Sequence, residues 1–360
     1  MSHAGARWIS LTRARDTMNS PVDIAVPSLP SVRSSRPVAV WLFACCAMIV
    51  AMVVIGGITR LTESGLSITE WRPVSGAIPP LSEQAWQAEF ERYQQIPQYQ
   101  ELNRGMTLAE FKAIFWWEFV HRLWGRLIGV VFAVPLAWFW FTGRIRGRTA
   151  WQLGGMLALG AVQGVIGWWM VASGLAERVT VSPYRLAVHL LLALVIYAWA
   201  LWAALDLVRG RARPRDAGAG ALGFILLVFV TIAAGAFVAG NRAGMIYNTF
   251  PLMDGRLVPE GYVDATLGTL RSLFEGFAAV QFNHRVLAIA TLIAAFAVWL
   301  RHRVTAVAAV PLVALLQVAL GIATLVLVVP IPLAAAHQAG AVALLTAALV
   351  AAHAIARKRS

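Results

Sequence analysis

Charge is scarce in this chain. Only 13% of its 360 residues are Asp, Glu, Lys or Arg, and 59% are hydrophobic. A soluble domain is about a quarter charged and about half apolar, so a soluble fold is excluded. Cysteine is nearly absent. Cys45 and Cys46 stand side by side in an apolar run. Neighbouring cysteines seldom meet the Cα separation of a disulfide, which leaves two core thiols and no disulfide framework. No secretory apolar region opens the chain. Residues 1–36 instead carry Arg7, Arg13, Arg15, Arg33 and Arg36 among serines and prolines, and read as a disordered cytoplasmic leader.

What is present is apolar sequence in long runs. Eight fall near 37–58, 113–141, 150–172, 184–208, 217–240, 279–300, 304–328 and 331–355. Each is long enough to cross an apolar layer of about 30 Å at about 1.5 Å rise per residue. The reading is an all-α polytopic membrane protein of eight transmembrane helices. The net charge of +13 raises the question of nucleic acid, and its distribution answers it. With eight spans, the leader, Arg144/Arg146/Arg148, Arg209/Arg211/Arg213/Arg215, Arg301/Arg303 and Arg357/Lys358/Arg359 share one side. That side holds seventeen Lys and Arg against four acids, and the rest of the chain holds thirteen of each. All of the excess therefore lies on one face, which places both termini in the cytoplasm. The partner is membrane lipid, not nucleic acid. Two long loops, 59–112 and 241–278, lie on the opposite, outer face.

Four histidines sit within the apolar runs: His121, His189, His284 and His337. Ionisable groups at membrane depth are costly and mark function. Glu118-Phe119-Val120-His121-Arg122 recurs as Gln281-Phe282-Asn283-His284-Arg285, and Gln163 to Gly167 recurs as Gln317 to Gly321. The fourth span of each half bears one histidine. Four spans per half is an even number, so the halves insert alike, related by an axis along the membrane normal. The expected architecture is two pseudo-symmetric four-helix bundles. The domains are then 37–208, a basic linker at 209–216, and 217–360. All four histidines lie roughly 9–13 Å inside the outer face at the helical rise. One pair per bundle at one depth suits the two axial positions of a haem iron. Arg122 and Arg285 follow the first histidine of each pair and are candidate contacts for haem propionates. Glu118 lies one helical turn before His121, where a carboxyl serves as acid or base. Its counterpart Gln281 does not titrate. The first pocket therefore reads as reactive and the second as holding a fixed redox cofactor.

These residues resemble the haem A synthase family of proteobacteria and mitochondria over nearly the whole chain after residue 36. The resemblance rests on Gly56-Gly57-Ile58-Thr59-Arg60-Leu61-Thr62-Glu63-Ser64-Gly65-Leu66-Ser67, Glu118 to Arg122, Gln163 to Val171 with Ser173-Gly174-Leu175, Tyr247-Asn248-Thr249, Pro251 to Gly255, Gln281 to Arg285, and Ala336-His337-Gln338. It implies oxidation of the C8 methyl of haem O to a formyl group, giving haem A for terminal oxidases. It implies that His284 and His337 hold haem b, that His121 and His189 flank haem O, and that Glu118 is the essential carboxylate. Some bacterial members carry cysteine pairs in the outer loops. This chain has none there, so chemistry at loop thiols is excluded. The implied partners are haem O, haem O synthase, oxidase assembly factors and a second copy of the chain. The implied location is the bacterial inner membrane, ahead of the mitochondrial one. The alternative is a di-haem b electron-transfer cytochrome oxidising quinol, which would use the four histidines alike and would not need Glu118. A transporter built from duplicated halves expects matched helix breaks at mid-membrane, and the sequence has none.

Overall fold

The computed structural model describes residues 36–359 except 177 and 303. The leader, apart from Arg36, and Arg303 lie outside the described residues. Helix α1 (Arg36–Leu61) runs into the first loop, which holds α2 (Glu83–Tyr93) and α3 (Pro97–Glu101). Next come α4 (Leu108–Phe141), α5 (Gly147–Ala172) and α6 (Pro183–Arg209). Helix α7 (Ala219–Gly240) opens the second half, and its loop holds α8 (Gly268–Glu275). The chain ends with α9 (Phe277–His302), α10 (Thr305–Val326) and α11 (Ile331–Arg359). Among the described residues, all but α2, α3 and α8 are long and apolar enough to cross a membrane, making eight. Seven match the expected runs to within a few residues.

The eighth, α4, starts at Leu108 rather than 113. Thr107 and Glu110 close a reciprocal cap there: the Thr107 hydroxyl accepts from the Glu110 amide, and the Glu110 carboxylate accepts from the Thr107 amide at 2.8 Å. Such a cap satisfies two otherwise orphaned amides. With 34 residues, α4 is about 51 Å long at the helical rise, well beyond the apolar layer. Its first turns stand in the loop, where Phe111 and Phe115 pack with Trp86, Phe90 and Tyr93 of α2. The first loop thus has a small aromatic core of its own.

Helices α1, α4, α5 and α6 pack in a ring, and so do α7, α9, α10 and α11. The rings meet where α11 touches α1 and α6, and where α6 touches α7. Burial agrees: 56% of the membrane window of α11 is enclosed by protein, against 6% for α5. Helix α11 is therefore central and α5 peripheral. Leu42, Cys45, Leu194, Leu201, Val307 and Leu345 belong to one continuous core, with Cys45 and Cys46 as buried free thiols. Just past α1 and α7, Glu63 and Arg242 both adopt the left-handed conformation at φ 56°. They pair with each other at 2.7 Å.

Candidate functional site

Each of the four intramembrane histidines rests on a glycine of a neighbouring helix. His121 lies on Gly56 of α1, His189 on Gly167 of α5, His284 on Gly235 of α7, and His337 on Gly321 of α10. A Cβ at those glycines would sit 2.8, 2.9, 3.0 and 2.8 Å from the histidine Cε1. Only a residue without a side chain permits that approach. Two of the histidine turns are also pinned by the glutamines noted in the sequence. Gln163 donates to the carbonyl of His189 at 2.9 Å, and Gln317 to that of His337 at 2.9 Å.

The rings of His284 and His337 come together. Their centres are 6.4 Å apart and their planes 86° from parallel. A metal–nitrogen bond of about 2.0 Å, with about 1.1 Å from nitrogen to ring centre, would put two imidazoles on one metal about 6.2 Å apart, centre to centre. The observed spacing fits that arrangement. The Nδ1 of His284 faces the Thr231 carbonyl at 3.1 Å. That contact makes Nδ1 the donor and leaves the Nε2 lone pair for a metal. His121, His189 and His337 have buried Nδ1 atoms without a partner, which is unusual for buried polar atoms. Among the described residues no three His, Cys, Asp or Glu side chains gather as a metal cluster. His284 and His337 form a pair of donors, as a macrocycle requires and a bare ion in a closed site does not.

Glu118 turns from the helix axis toward the first loop. Its Oε2 accepts from the Ser67 hydroxyl at 2.7 Å and the Ile68 amide at 2.8 Å. Its Oε1 accepts from Arg122 Nε at 3.0 Å and Nη2 at 2.6 Å. Arg122 in turn donates to the carbonyls of Ile68 and Glu70. Gln281 and Arg285 repeat the design with the polarity reversed. The Gln281 amide donates to the carbonyls of Ala243 and Ile246, its oxygen accepts from Arg285, and Arg285 donates to the carbonyls of Tyr247 and Thr249. Both arginines, expected as propionate contacts, thus hold their loops down against the helices.

The family model for cytochrome oxidase assembly protein matches residues 39–349. Curated relatives named "Heme A synthase" align over most of both chains. The one from Paramagnetospirillum magneticum is 51% identical over 338 residues, covering 90% of this chain and 95% of the relative. The one from Rhodospirillum centenum is 52% identical over 333 residues, covering 87% of each. The one from Caulobacter vibrioides is 51% identical over 329 residues, covering 87% and 94%. The chain belongs to the haem A synthase family.

Within this haem A synthase family chain, the sequence reading found the histidines, Glu118 and the arginines. It missed the glycine seats as seats. Their signal was present: each half opens with a Gly-bearing span, and each third span has Gln-x-x-x-Gly. What the sequence does not reveal is which helix each glycine faces. His353 is fully buried and contacts Asp206 at 2.9 Å. It joins α11 to α6 near the basic side.

Proposed function

We propose that this protein makes haem A from haem O, oxidising the C8 methyl group of the substrate to a formyl group in two successive oxidations. The observation that carries this reading is the set of four glycine-seated histidines, with His284 and His337 brought together, in a chain of this family. In it, His284 and His337 hold a resident haem b, and His121 and His189 flank haem O. A haem bound by the second pair supplies one-electron redox chemistry. The chain's own residues do the rest. The Thr231 carbonyl fixes the His284 ring, as suits a site that keeps its occupant. The Nδ1 atoms of His121, His189 and His337 have no hydrogen bond, so of these four rings only that of His284 is held this way. Glu118, one turn before His121, is the carboxylate this reading takes as essential, and it holds Ser67 and Ile68 of the first loop. Arg122 and Arg285 are the candidate propionate partners, each also tied to its loop through backbone carbonyls.

The site belongs in the inner membrane of a bacterium, with its loops on the outer face and its basic side in the cytoplasm. Haem O synthase supplies the substrate, and oxidase assembly factors take the product. In the di-haem electron-transfer reading both pockets would be equivalent. The reversed polarity of Glu118 and Gln281, and the hold on His284 Nδ1 that has no counterpart at His121, favour two distinct pockets. The test is to supply haem O to the purified protein in membranes with a reductant and oxygen, then chromatograph the extracted haems. Haem A should accumulate beside a constant amount of haem b. Haem b alone, with haem O unchanged, would establish the cytochrome instead.

The glycine seats give a second expectation. In G321A a methyl group meets the His337 ring and turns it off its seat. Supporting residues of a metal ligand are worth about 10–100-fold in affinity, so retained haem b should fall by about tenfold in a pyridine haemochrome assay. Wild-type haem content in G321A would mean that ring orientation does not depend on the seat.

A further inference from the structure

We infer that Gln338 sets the register between the two histidine sites. It follows His337 on α11, and its side chain leaves the second ring of helices to reach α1. Its Nε2 donates to the Val53 carbonyl at 3.0 Å. The same amide lies against Gly57, where any Cβ would overlap it. Gly57 is buried, and the residue before it, Gly56, is the seat of His121. One backbone step on each side therefore links the contact to a histidine: His337 to Gln338 on α11, and Gly57 to Gly56 on α1. The turn of α11 that carries His337 is gripped from both directions. Gln317 holds its carbonyl from α10, and Gln338 extends to α1. The first half has the inward grip only, from Gln163 to His189; the residue after His189 is Leu190, which has no donor to extend. The link between sites is thus made once, from the second half toward the first.

The inference rests on the reading that the histidine pairs hold porphyrins. It makes Gln338 and Gly57 positioning residues, which touch neither substrate nor cofactor but fix how the two pockets sit. A side chain that crosses a helix interface at a glycine has little slack. Displacing it should move both neighbouring seats.

The experiment uses the full chain, purified with its haem, as wild type, G57A, Q338A and the double variant. Two readouts are taken: the electron paramagnetic resonance g-values and midpoint potential of the haem on His284 and His337, and a titration of the first site with iron protoporphyrin. G57A lies in the first half and touches neither His284 nor His337. It should nevertheless shift the g-values and potential of the second-site haem. It should also weaken first-site binding by about tenfold, the usual scale for a supporting residue. Adding Q338A should remove the overlap, so that the double variant behaves as Q338A alone rather than as the sum of the two. If G57A does not accumulate, Q338M carries the test, since it keeps about the side-chain length and has no donor for Val53. Unchanged second-site spectra in haem-bearing G57A or Q338M, or additive effects, overturn the positioning role alone. A wild-type protein that retains no haem overturns the haem reading beneath it.

Discussion

E118Q is expected to cut haem A formation by about 10²-fold, the scale of a lost acid, base or charge at a reacting centre, while leaving the resident haem b in place. The substitution is isosteric, and the reason for its effect lies in the loop. Glu118 is surrounded by donors: the Ser67 hydroxyl, the Ile68 amide and the Arg122 guanidinium. A glutamine there must aim its own N–H groups at one of them. A buried donor left without an acceptor costs about 1–3 kcal/mol, and the Arg122 charge loses its partner. The loop segment over the first pocket should loosen, and limited proteolysis within 64–72 should rise. The reciprocal variant Q281E would turn a carboxylate toward the carbonyls of Ala243 and Ile246 and should destabilise the second loop in the same assay. Full haem A yield from E118Q, read by chromatography of extracted haems, would remove Glu118 from the mechanism.

The largest effect on cofactor content is expected from H284A and H337A. Each removes one axial donor of a pair whose ring centres are 6.4 Å apart. Loss of a supporting contact alone weakens metal affinity by about 10–100-fold, and loss of the donor itself should do at least as much. Purified H284A and H337A should carry less than about a tenth of the wild-type haem b and make no haem A. H121A and H189A should keep haem b near the wild-type amount and still make no haem A. That contrast separates a resident site from a substrate site. Equal loss of haem b in all four variants would mean that the two pairs do the same job.

The spans, the charged side and the four histidines could be read from the sequence because each is a local pattern: run length, loop charge, and an ionisable residue in apolar surroundings. The start of α4 was misplaced because its cap and aromatic turns are polar and amphipathic, and a hydropathy run does not include them. Glu118 and His121 are one turn apart, and the sequence reading assigned both to a single pocket. What the sequence did not show is that Ser67 and Ile68, some fifty residues earlier, supply donors to the carboxylate. Long-range partners of that kind leave no local trace. The glycine seats and the Gln338 bridge were hidden for the same reason. The motifs were visible, but a glycine shows its purpose only when the ring lying on it is known.

The ion pair between Glu63 and Arg242 bears on how such a chain could arise. The two residues occupy corresponding places after α1 and α7, with the same left-handed backbone, and carry opposite charges. The pair is half exposed, so its contribution to stability is small. Its weight is in partner choice. Two copies of the first half placed face to face would bring glutamate against glutamate, and two copies of the second half arginine against arginine. Only the mixed assembly is free of repulsion. A fragment carrying residues 1–208 should therefore associate with one carrying 209–360 in preference to itself, as the unlike subunits of a heterodimer do.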